Sequence, residues 1–198
     1  MGRPPLHDHD SFLDAAARLF AAQGSRAVTM AAVARSIGAP SGSIYHRFPD
    51  RPALLAALWL RSGRRFLEGY SRVVGVAPST ADAVAASAWI VDWCRDNLAE
   101  AIVLQAGART FTPDEWPESA RAELAEHDAI RRQTLRTAVA ALAEQTGLPH
   151  DRILFTLVDM PLAVVRPYFH NGEPPPVRAT ELARELAETL LTSPHTGS

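Results

Sequence analysis

The chain has 198 residues, with 20 arginines, no lysine and 22 acidic residues, so its formal net charge is −2 at pH 7. This length suits one or two small domains with a sizeable core, and the near-neutral charge argues against a surface coated for nucleic acid. No run reaches the roughly 18 consecutive apolar residues of a membrane span, and the first ten residues lack the apolar core of a signal peptide. The single cysteine, Cys94, cannot form an intramolecular disulfide, which favours a reducing cytoplasm.

The charges are distributed unevenly along the chain. Residues 1–65 carry nine Arg and four Asp, a net charge of +5, whereas residues 66–198 carry a net charge of −7. A basic N-terminal third on an acidic body is typical of one DNA-binding module joined to a domain that does not bind DNA. Chance clustering of solvated charges is the alternative explanation.

The hydrophobic pattern predicts an all-α chain of about nine helices. Residues 1–10 are predicted to be a flexible polar arm, in which Arg3 could reach a DNA minor groove and His7 and His9 would not form a closed metal site. The first predicted helices, in chain order, cover 10–23, two short stretches within 29–48, and a stretch from 50 that continues as a connecting helix through 58–77. The remaining predicted helices cover 80–97, 98–108, 118–146, 151–169 with an interruption at Pro161, and 177–191.

Residues 29–48 predict two short helices joined by a tight turn. Thr29 is a good N-cap, Gly38 suits a left-handed helix end, and Pro40 suits the first turn of the second helix. The second helix has two apolar positions, Ile44 and Phe48, and its other positions are polar. This arrangement matches a helix-turn-helix whose second helix enters a DNA major groove.

The stretch from Phe12 to Leu55 resembles the DNA-binding domain of the tetracycline-repressor (TetR) family of bacterial regulators. The matching segments are FLDAAARLFAAQGSRAVTM and VARSIGAPSGSIYHRFPDRPALL. The resemblance implies a three-helix DNA-binding domain at 11–57 and a helical ligand-binding and dimerisation domain at 78–198. Two departures remove possible DNA contacts, because Ser41 stands where many members carry Lys or Arg, and Ala31 and Ala32 stand where polar residues are common.

The candidate DNA-binding residues lie in and beside the helix-turn-helix: Thr29, Ser41, Gly42, Ser43, Tyr45, His46, Arg47 and Arg51. In the resembling family, the positions of Tyr45 and His46 commonly touch phosphate, and residues near the start of the second helix reach base edges. Arg51 lies at a helix N-terminus, where a cation is disfavoured unless a phosphate is nearby. An exposed arginine screened by water is the alternative for Arg51.

The domain beyond Pro78 carries no nucleophile elbow, phosphate loop or zinc spacing. Its candidate ligand-binding residues are aromatic or polar: Trp89, Trp93, Gln105, Phe111, Trp116, His127, Met160 and Tyr168. Each of them could instead be an ordinary core residue, as could Cys94, for which a redox role is the alternative. The candidate dimer interface consists of leucines from two apolar stretches: Leu157, Leu162, Leu182, Leu186 and Leu190.

Together these features predict a ligand-responsive transcriptional regulator, most often a repressor in the resembling family. It would bind a palindromic DNA operator as a homodimer and be released by a small molecule, without a cofactor, a metal or enzymatic activity. The alternative is an all-α small-molecule-binding or enzymatic protein whose helix-turn-helix is only structural. Salt-dependent binding to duplex DNA separates the two hypotheses.

Overall fold

The computed structural model describes residues 8–193, so Arg3 and His7 of the predicted arm lie outside the described residues. The described part of the chain contains helices and no strand, which confirms the all-α prediction. The α-helices are α1 (His9–Gln23), α2 (Met30–Ser36), α3 (Arg51–Val74), α4 (Thr80–Asp96), α5 (Leu98–Gln105), α6 (Glu118–Thr146), α7 (His150–Leu154), α8 (Met160–Asn171) and α9 (Val177–Thr192). Among residues 8–193, none of the helices has the length and apolar character that crossing a membrane requires.

The chain divides into two compact units. The first unit comprises Met1–Arg64 and Ala99–Glu126, and the second comprises Arg65–Leu98 and His127–Ser198. The predicted DNA-binding domain, 11–57, falls inside the first unit. The division differs from the predicted boundary at residue 78, because the chain returns to the first unit after α4 and because α3 and α6 contribute residues to both units.

The core of the first unit is built from one face of each helix. α1 begins at His9 because the Asp8 carboxylate accepts a hydrogen bond of 2.8 Å from the Ser11 N–H. Apolar side chains from α1, α2, α3 and α5 meet in one cluster. Its large buried members are Phe12, Leu13, Phe20, Ile44, Phe48, Leu54, Leu55, Leu58, Phe111 and Trp116.

The second unit is organised around α4, which packs against α8 and α9. α4 begins with a capping box, in which the Ser79 hydroxyl oxygen accepts from the Asp82 N–H and the Asp82 carboxylate accepts from the Ser79 N–H. Small buried residues on α4 and α9 allow the two helices to approach closely. They include Ala83, Ala86, Ala179, Ala183 and Ala187.

Residues 150–171 are helical throughout, and the predicted interruption at Pro161 takes the form of a change in helix type just before this proline. α7 and α8 are joined by a π-helical turn, Phe155–Asp159, and Pro161 lies in the first turn of α8. Residues 8–193 contain nine α-helices when α7 and α8 are counted separately, which is close to the expected number of about nine.

The carbonyl groups of this π-turn find partners on neighbouring helices. Pro161 has no N–H to offer the Leu157 carbonyl four residues earlier, and the Tyr70 hydroxyl of α3 donates to that oxygen at 3.3 Å. The Ser87 hydroxyl of α4 donates to the adjacent Thr156 carbonyl at 2.8 Å. Burial raises the pKa of Tyr70, so its hydroxyl remains a donor at every physiological pH.

Candidate nucleic-acid interface

The first helix of the helix-turn-helix begins and ends as its sequence predicts. The Thr29 hydroxyl oxygen accepts from the Ala32 N–H at 3.1 Å and caps α2. At the other end, Gly38 has φ +69°, in the left-handed region that favours glycine. The Ala39 N–H then donates to the Ala34 carbonyl at 2.9 Å, which completes a Schellman-type end and turns the chain toward the second helix.

Residues 40–48, which we call the recognition segment, differ from the predicted α-helix. Its central part, Ser43–His46, is a 3₁₀ helix. The Tyr45 N–H donates to the Gly42 carbonyl at 3.2 Å, and the Arg47 N–H donates to the Ile44 carbonyl at 3.0 Å. Proline at each end of the segment leaves it short, and short helical pieces commonly take the tighter 3₁₀ form.

The recognition segment presents its polar side chains outward, as the sequence predicts. Ile44 and Phe48 are buried in the core of the first unit. Tyr45 is 57% exposed, and His46 and Arg47 are also exposed. Burial of the two apolar residues holds this surface in place without using any of the three polar side chains.

The start of the recognition segment is also accessible. Ser41 and Gly42 are exposed, whereas Ser43 is half-buried and its hydroxyl donates to the Pro40 carbonyl at 2.7 Å. Gly42 has φ −76°, and a Cβ added there would meet no atom within 4 Å. The fold of this chain therefore does not require glycine at position 42.

Arg51 makes hydrogen bonds within the first unit that the sequence did not predict. Its Nε donates to the Val28 carbonyl at 2.8 Å, and its Nη2 donates to the Ser25 carbonyl at 2.7 Å. These two hydrogen bonds fix the connection between α1 and α2 against the start of α3. We therefore regard Arg51 as an internal brace of the helix-turn-helix, because its fork of donors is directed at backbone carbonyls.

In the part of this unit that contains the helix-turn-helix, residues 8–50, four arginines and three aspartates (Asp8, Asp10 and Asp50) are exposed. Exposed arginines occur on α1, on the connection to α2, on α2, in the recognition segment and farther along the unit: Arg18, Arg26, Arg35, Arg47, Arg64, Arg109 and Arg121. The first four belong to the part of the unit that contains the helix-turn-helix. These exposed arginines can pair with the phosphates of a polyanion such as the DNA backbone.

A buried ionic cluster in the first unit was not predicted. Arg61 of α3 is 4% exposed, and its guanidinium lies 2.8 Å from the carboxylate of Asp14, 2.9 Å from that of Glu100 and 3.3 Å from that of Asp10. The cluster joins α1, α3 and α5. Its sequence signal is the spacing of Leu54, Leu58 and Arg61, which puts the arginine on the apolar face of α3.

The candidate ligand-binding residues do not form one group, since they are divided between the two units. Gln105 is exposed in the first unit, where Phe111 and Trp116 are core residues. Phe111 stacks on Phe20 with a centroid separation of 4.7 Å, and the Trp116 indole N–H donates to the Phe111 carbonyl at 2.7 Å. Phe111 and Trp116 are therefore ordinary core residues, which was the alternative to a ligand-binding role.

The remaining candidates lie in the second unit, where Met160 is buried and His127 and Tyr168 are half-buried. Trp89 and Trp93 share one face of α4, as predicted, with ring centroids 6.3 Å apart. Phe66 contacts both indoles, at 5.5 and 5.0 Å, and Tyr70 lies 6.2 Å from Trp89. We call Phe66, Tyr70, Trp89 and Trp93 the aromatic cluster.

Gly69 is needed beside the aromatic cluster for reasons of space. A Cβ at this position would lie 2.4 Å from Cζ2 of Trp89, well inside van der Waals contact. The indole therefore packs directly on the backbone of α3, which accounts for a glycine in the middle of this helix.

Cys94 also belongs to the second unit, where burial raises the pKa of its thiol to about 12. Because the thiolate is the reactive form, we expect Cys94 to resist iodoacetamide in the folded protein at pH 8 and to react once the chain is unfolded in urea. Mass spectrometry of the labelled protein measures both rates. Rapid labelling of the folded protein would instead support the redox-sensor alternative.

The five candidate interface leucines are not equivalent. Leu157 is fully buried within its own subunit, so its assignment to a dimer interface is corrected. Leu182 and Leu186 of α9 are 46% and 37% exposed, and Leu162 and Leu190 are half-buried. Leu154 and Phe155, which the sequence analysis did not single out, are exposed large apolar residues at the junction of α7 and the π-turn.

Comparison with known proteins agrees with this description. Residues 12–58 match the family model of the bacterial regulatory proteins of the tetR family. No curated protein matches the sequence. Among solved structures, the TetR family transcriptional regulator PfmR from Thermus thermophilus has 18% sequence identity and a TM-score of 0.70, with 96% of this chain and 99% of that chain covered.

Two further structures show the same fold. The ketosteroid transcriptional regulator KstR2 of Mycobacterium tuberculosis has 19% identity and a TM-score of 0.70, over 96% of this chain and 97% of that one. The transcriptional regulator FadR from Bacillus subtilis, solved in complex with stearoyl-CoA, has 16% identity and a TM-score of 0.68, over 95% of this chain and 100% of that one. At these identities the likeness establishes the fold, which is that of TetR-family transcriptional regulators.

Proposed function

We propose that this chain, whose residues 12–58 match the family model of the bacterial regulatory proteins of the tetR family, is a ligand-responsive transcriptional repressor. It binds a palindromic operator as a homodimer and is released from DNA by a small molecule. The observation that carries the proposal is the recognition segment, because its exposed Tyr45, His46 and Arg47 are held outward by the buried side chains of Ile44 and Phe48.

The chemistry of the recognition segment suits duplex DNA. Tyr45, His46 and Arg47 supply donors for phosphate oxygens, and phosphate contacts set the register of a protein on the duplex. Ser41 and Gly42 are exposed at the start of the segment, where base edges come within reach. The glycine lets the protein backbone approach a base or sugar closely.

A second copy of the chain is part of the proposal for two reasons. One helix-turn-helix reads only a half-site, and a two-fold dimer places two of them in successive major grooves about 34–36 Å apart. The exposed apolar side chains of Leu154, Phe155, Leu182 and Leu186 offer a surface that a two-fold partner would cover. We assign the dimer interface to this surface.

The second unit is the proposed site of the small molecule. Tyr70 of the aromatic cluster and Ser87 of α4 donate hydrogen bonds to the carbonyls of a π-turn. Single π-turns are frequent at functional sites. Both the aromatic cluster and the structurally similar FadR, solved with stearoyl-CoA, support a largely apolar effector. The second unit then corresponds to the proposed ligand-binding and dimerisation domain.

The proposal is tested by binding of the purified protein to duplexes selected from a random pool. We expect Tyr45→Phe and His46→Ala each to weaken binding about tenfold, which is the size of a lost hydrogen bond to a charged group. The loss should be similar for all sequences, since phosphate carries no sequence information. Fluorescence anisotropy over a range of salt concentrations measures these affinities.

Two further variants separate contact from folding. Gly42→Ala should leave the helical circular dichroism unchanged, because its Cβ meets no protein atom, yet it should weaken operator binding. His170→Ala, at an exposed position in the second unit, is the control and should bind like the wild type. If wild-type protein shows no salt-dependent affinity for any duplex, the alternative of a purely structural helix-turn-helix is correct.

A further inference from the structure

The first residue of α1 contacts the last residue of the recognition segment. The imidazole of His9 and the ring of Phe48 have centroids 4.8 Å apart, with their planes at 40°. Phe48 is buried and also meets Phe12 edge to face, whereas His9 is exposed. His9 therefore stands on the protein surface next to the recognition segment, although it is far from it in sequence.

The carboxylates around His9 are already engaged within the protein. On α1, the Asp8 carboxylate accepts from the Ser11 N–H at 2.8 Å and the Asp10 carboxylate lies 3.3 Å from Arg61. After the recognition segment, the Asp50 carboxylate accepts from the Ala53 N–H at 2.8 Å. The recognition segment itself adds the titratable side chains of Tyr45 and His46 and the permanent charge of Arg47.

The titratable side chains of this surface include the imidazoles of His9 and His46. The Ser11 N–H, followed by the Ser11 hydroxyl, lowers the pKa of Asp8, so this carboxylate stays ionised from pH 5.5 to pH 8. Histidine is the side chain whose ordinary charge change falls between pH 5 and pH 8.

We propose that His9 is a further DNA-contacting residue, whose imidazolium meets a backbone phosphate beside the phosphate reached by His46. The consequence is an affinity for DNA that increases as the pH falls. The inference rests on the proposed function, since it assigns an additional contact to the same DNA-binding surface.

Two physical effects favour this contact. The exposed Arg47 of the recognition segment adds a permanent positive charge to this surface, which attracts a phosphate. Packing against Phe48 also restricts the His9 ring before DNA arrives, so less side-chain entropy is lost when the contact forms. A phosphate neutralised by an imidazolium releases counterions, and this release makes the contact visible as salt dependence.

The test uses the full chain and a mixed-sequence duplex about three helical turns long, because a phosphate contact needs no particular operator. The slope of log affinity against log salt is measured at pH 5.5 and at pH 8. For wild type we expect a steeper slope at pH 5.5. In His9→Gln the slope at pH 5.5 should become shallower by about 0.9, the value for one phosphate contact, while the slope at pH 8 stays unchanged.

Two further variants show whether a change in slope comes from the charge of His9. His9→Phe preserves a ring against Phe48 but has no charge, so it should behave like His9→Gln. His150→Gln, at an exposed histidine that begins α7 in the second unit, should keep the wild-type slopes at both pH values. Circular dichroism verifies that each variant is folded.

The possible failures are distinguishable. If wild type binds DNA but His9→Gln has the same slopes at both pH values, His9 is not a contact and the inference is wrong. Equal losses at both pH values would overturn it as well, because they would indicate packing rather than charge. If wild type itself does not bind the duplex in a salt-dependent manner, the proposed function fails first.

Discussion

Replacement of Arg61 by methionine is expected to lower the free energy of unfolding by about 3–5 kcal/mol, the size found when one partner of a buried ion pair is removed. Arg61 and Glu100 are 4% and 6% exposed, and their side chains are joined at 2.9 Å. Without the guanidinium, the Glu100 carboxylate would remain in the core of the first unit and would lose its ion pair with Arg61. Urea unfolding followed by circular dichroism measures the change.

Two controls distinguish burial from the loss of an ion pair in general. Arg131→Met breaks the pair with Asp128 on α6, whose side chains are both exposed, and it should cost no more than about 1 kcal/mol. The double variant Arg61→Met, Glu100→Leu should recover much of the lost stability, since it removes the buried charge together with its partner. Equal effects of Arg61→Met and Arg131→Met would contradict the argument.

The helix-turn-helix could be predicted because its signals are local. Thr29, Gly38 and Pro40 each act on the backbone within a few residues, through a cap, a left-handed conformation and a fixed φ. The spacing of Ile44 and Phe48 then identified the buried side. The difference between an α-helix and a 3₁₀ helix was not predictable from these signals, since it depends on how the chain is held between Pro40 and Pro49.

The roles of individual side chains were harder to predict wherever their partners are distant in sequence. Arg51 has the side-chain chemistry of a phosphate contact, but the carbonyls that it binds are 23 and 26 positions away in the sequence. Arg61 meets Glu100 across 39 positions. Phe111 and Trp116 could not be predicted as core residues of the first unit for the same reason. They belong to residues 99–126, which return to this unit after a long intervening stretch of chain.

The wrong assignment of Leu157 has a different physical reason. The sequence analysis treated residues 151–159 as α-helical, with about 100° of rotation per residue. The π-turn at Phe155–Asp159 contains an extra residue within one turn, so it changes which side chains share a face before and after it. Leu157 consequently faces the core of its own unit, and the neighbouring Phe155 is exposed instead.

The exposed leucines of α9 are expected to form the dimer interface. Leu182 and Leu186 lie four residues apart and therefore share a face, and both remain accessible in the single chain. We expect Leu186→Arg to give a folded monomer, because an exposed position accepts a charged side chain in the monomer but a desolvated apolar interface does not. Sedimentation at micromolar concentration should show a dimer for wild type and a monomer for the variant.

Loss of the dimer should also have a large effect on DNA. A dimer places its second recognition segment at the second half-site at a high effective concentration, so the monomeric variant should bind a palindromic operator about 100- to 10,000-fold more weakly. Its affinity for a single half-site should be unchanged, because the recognition segment is intact. Glu188→Arg is the control, since it is exposed on α9 only two residues from Leu186 and so faces a different direction. A wild-type chain that sediments as a monomer, or a Leu186→Arg variant that remains dimeric, would remove the interface from this face and require a different two-fold contact to span the operator.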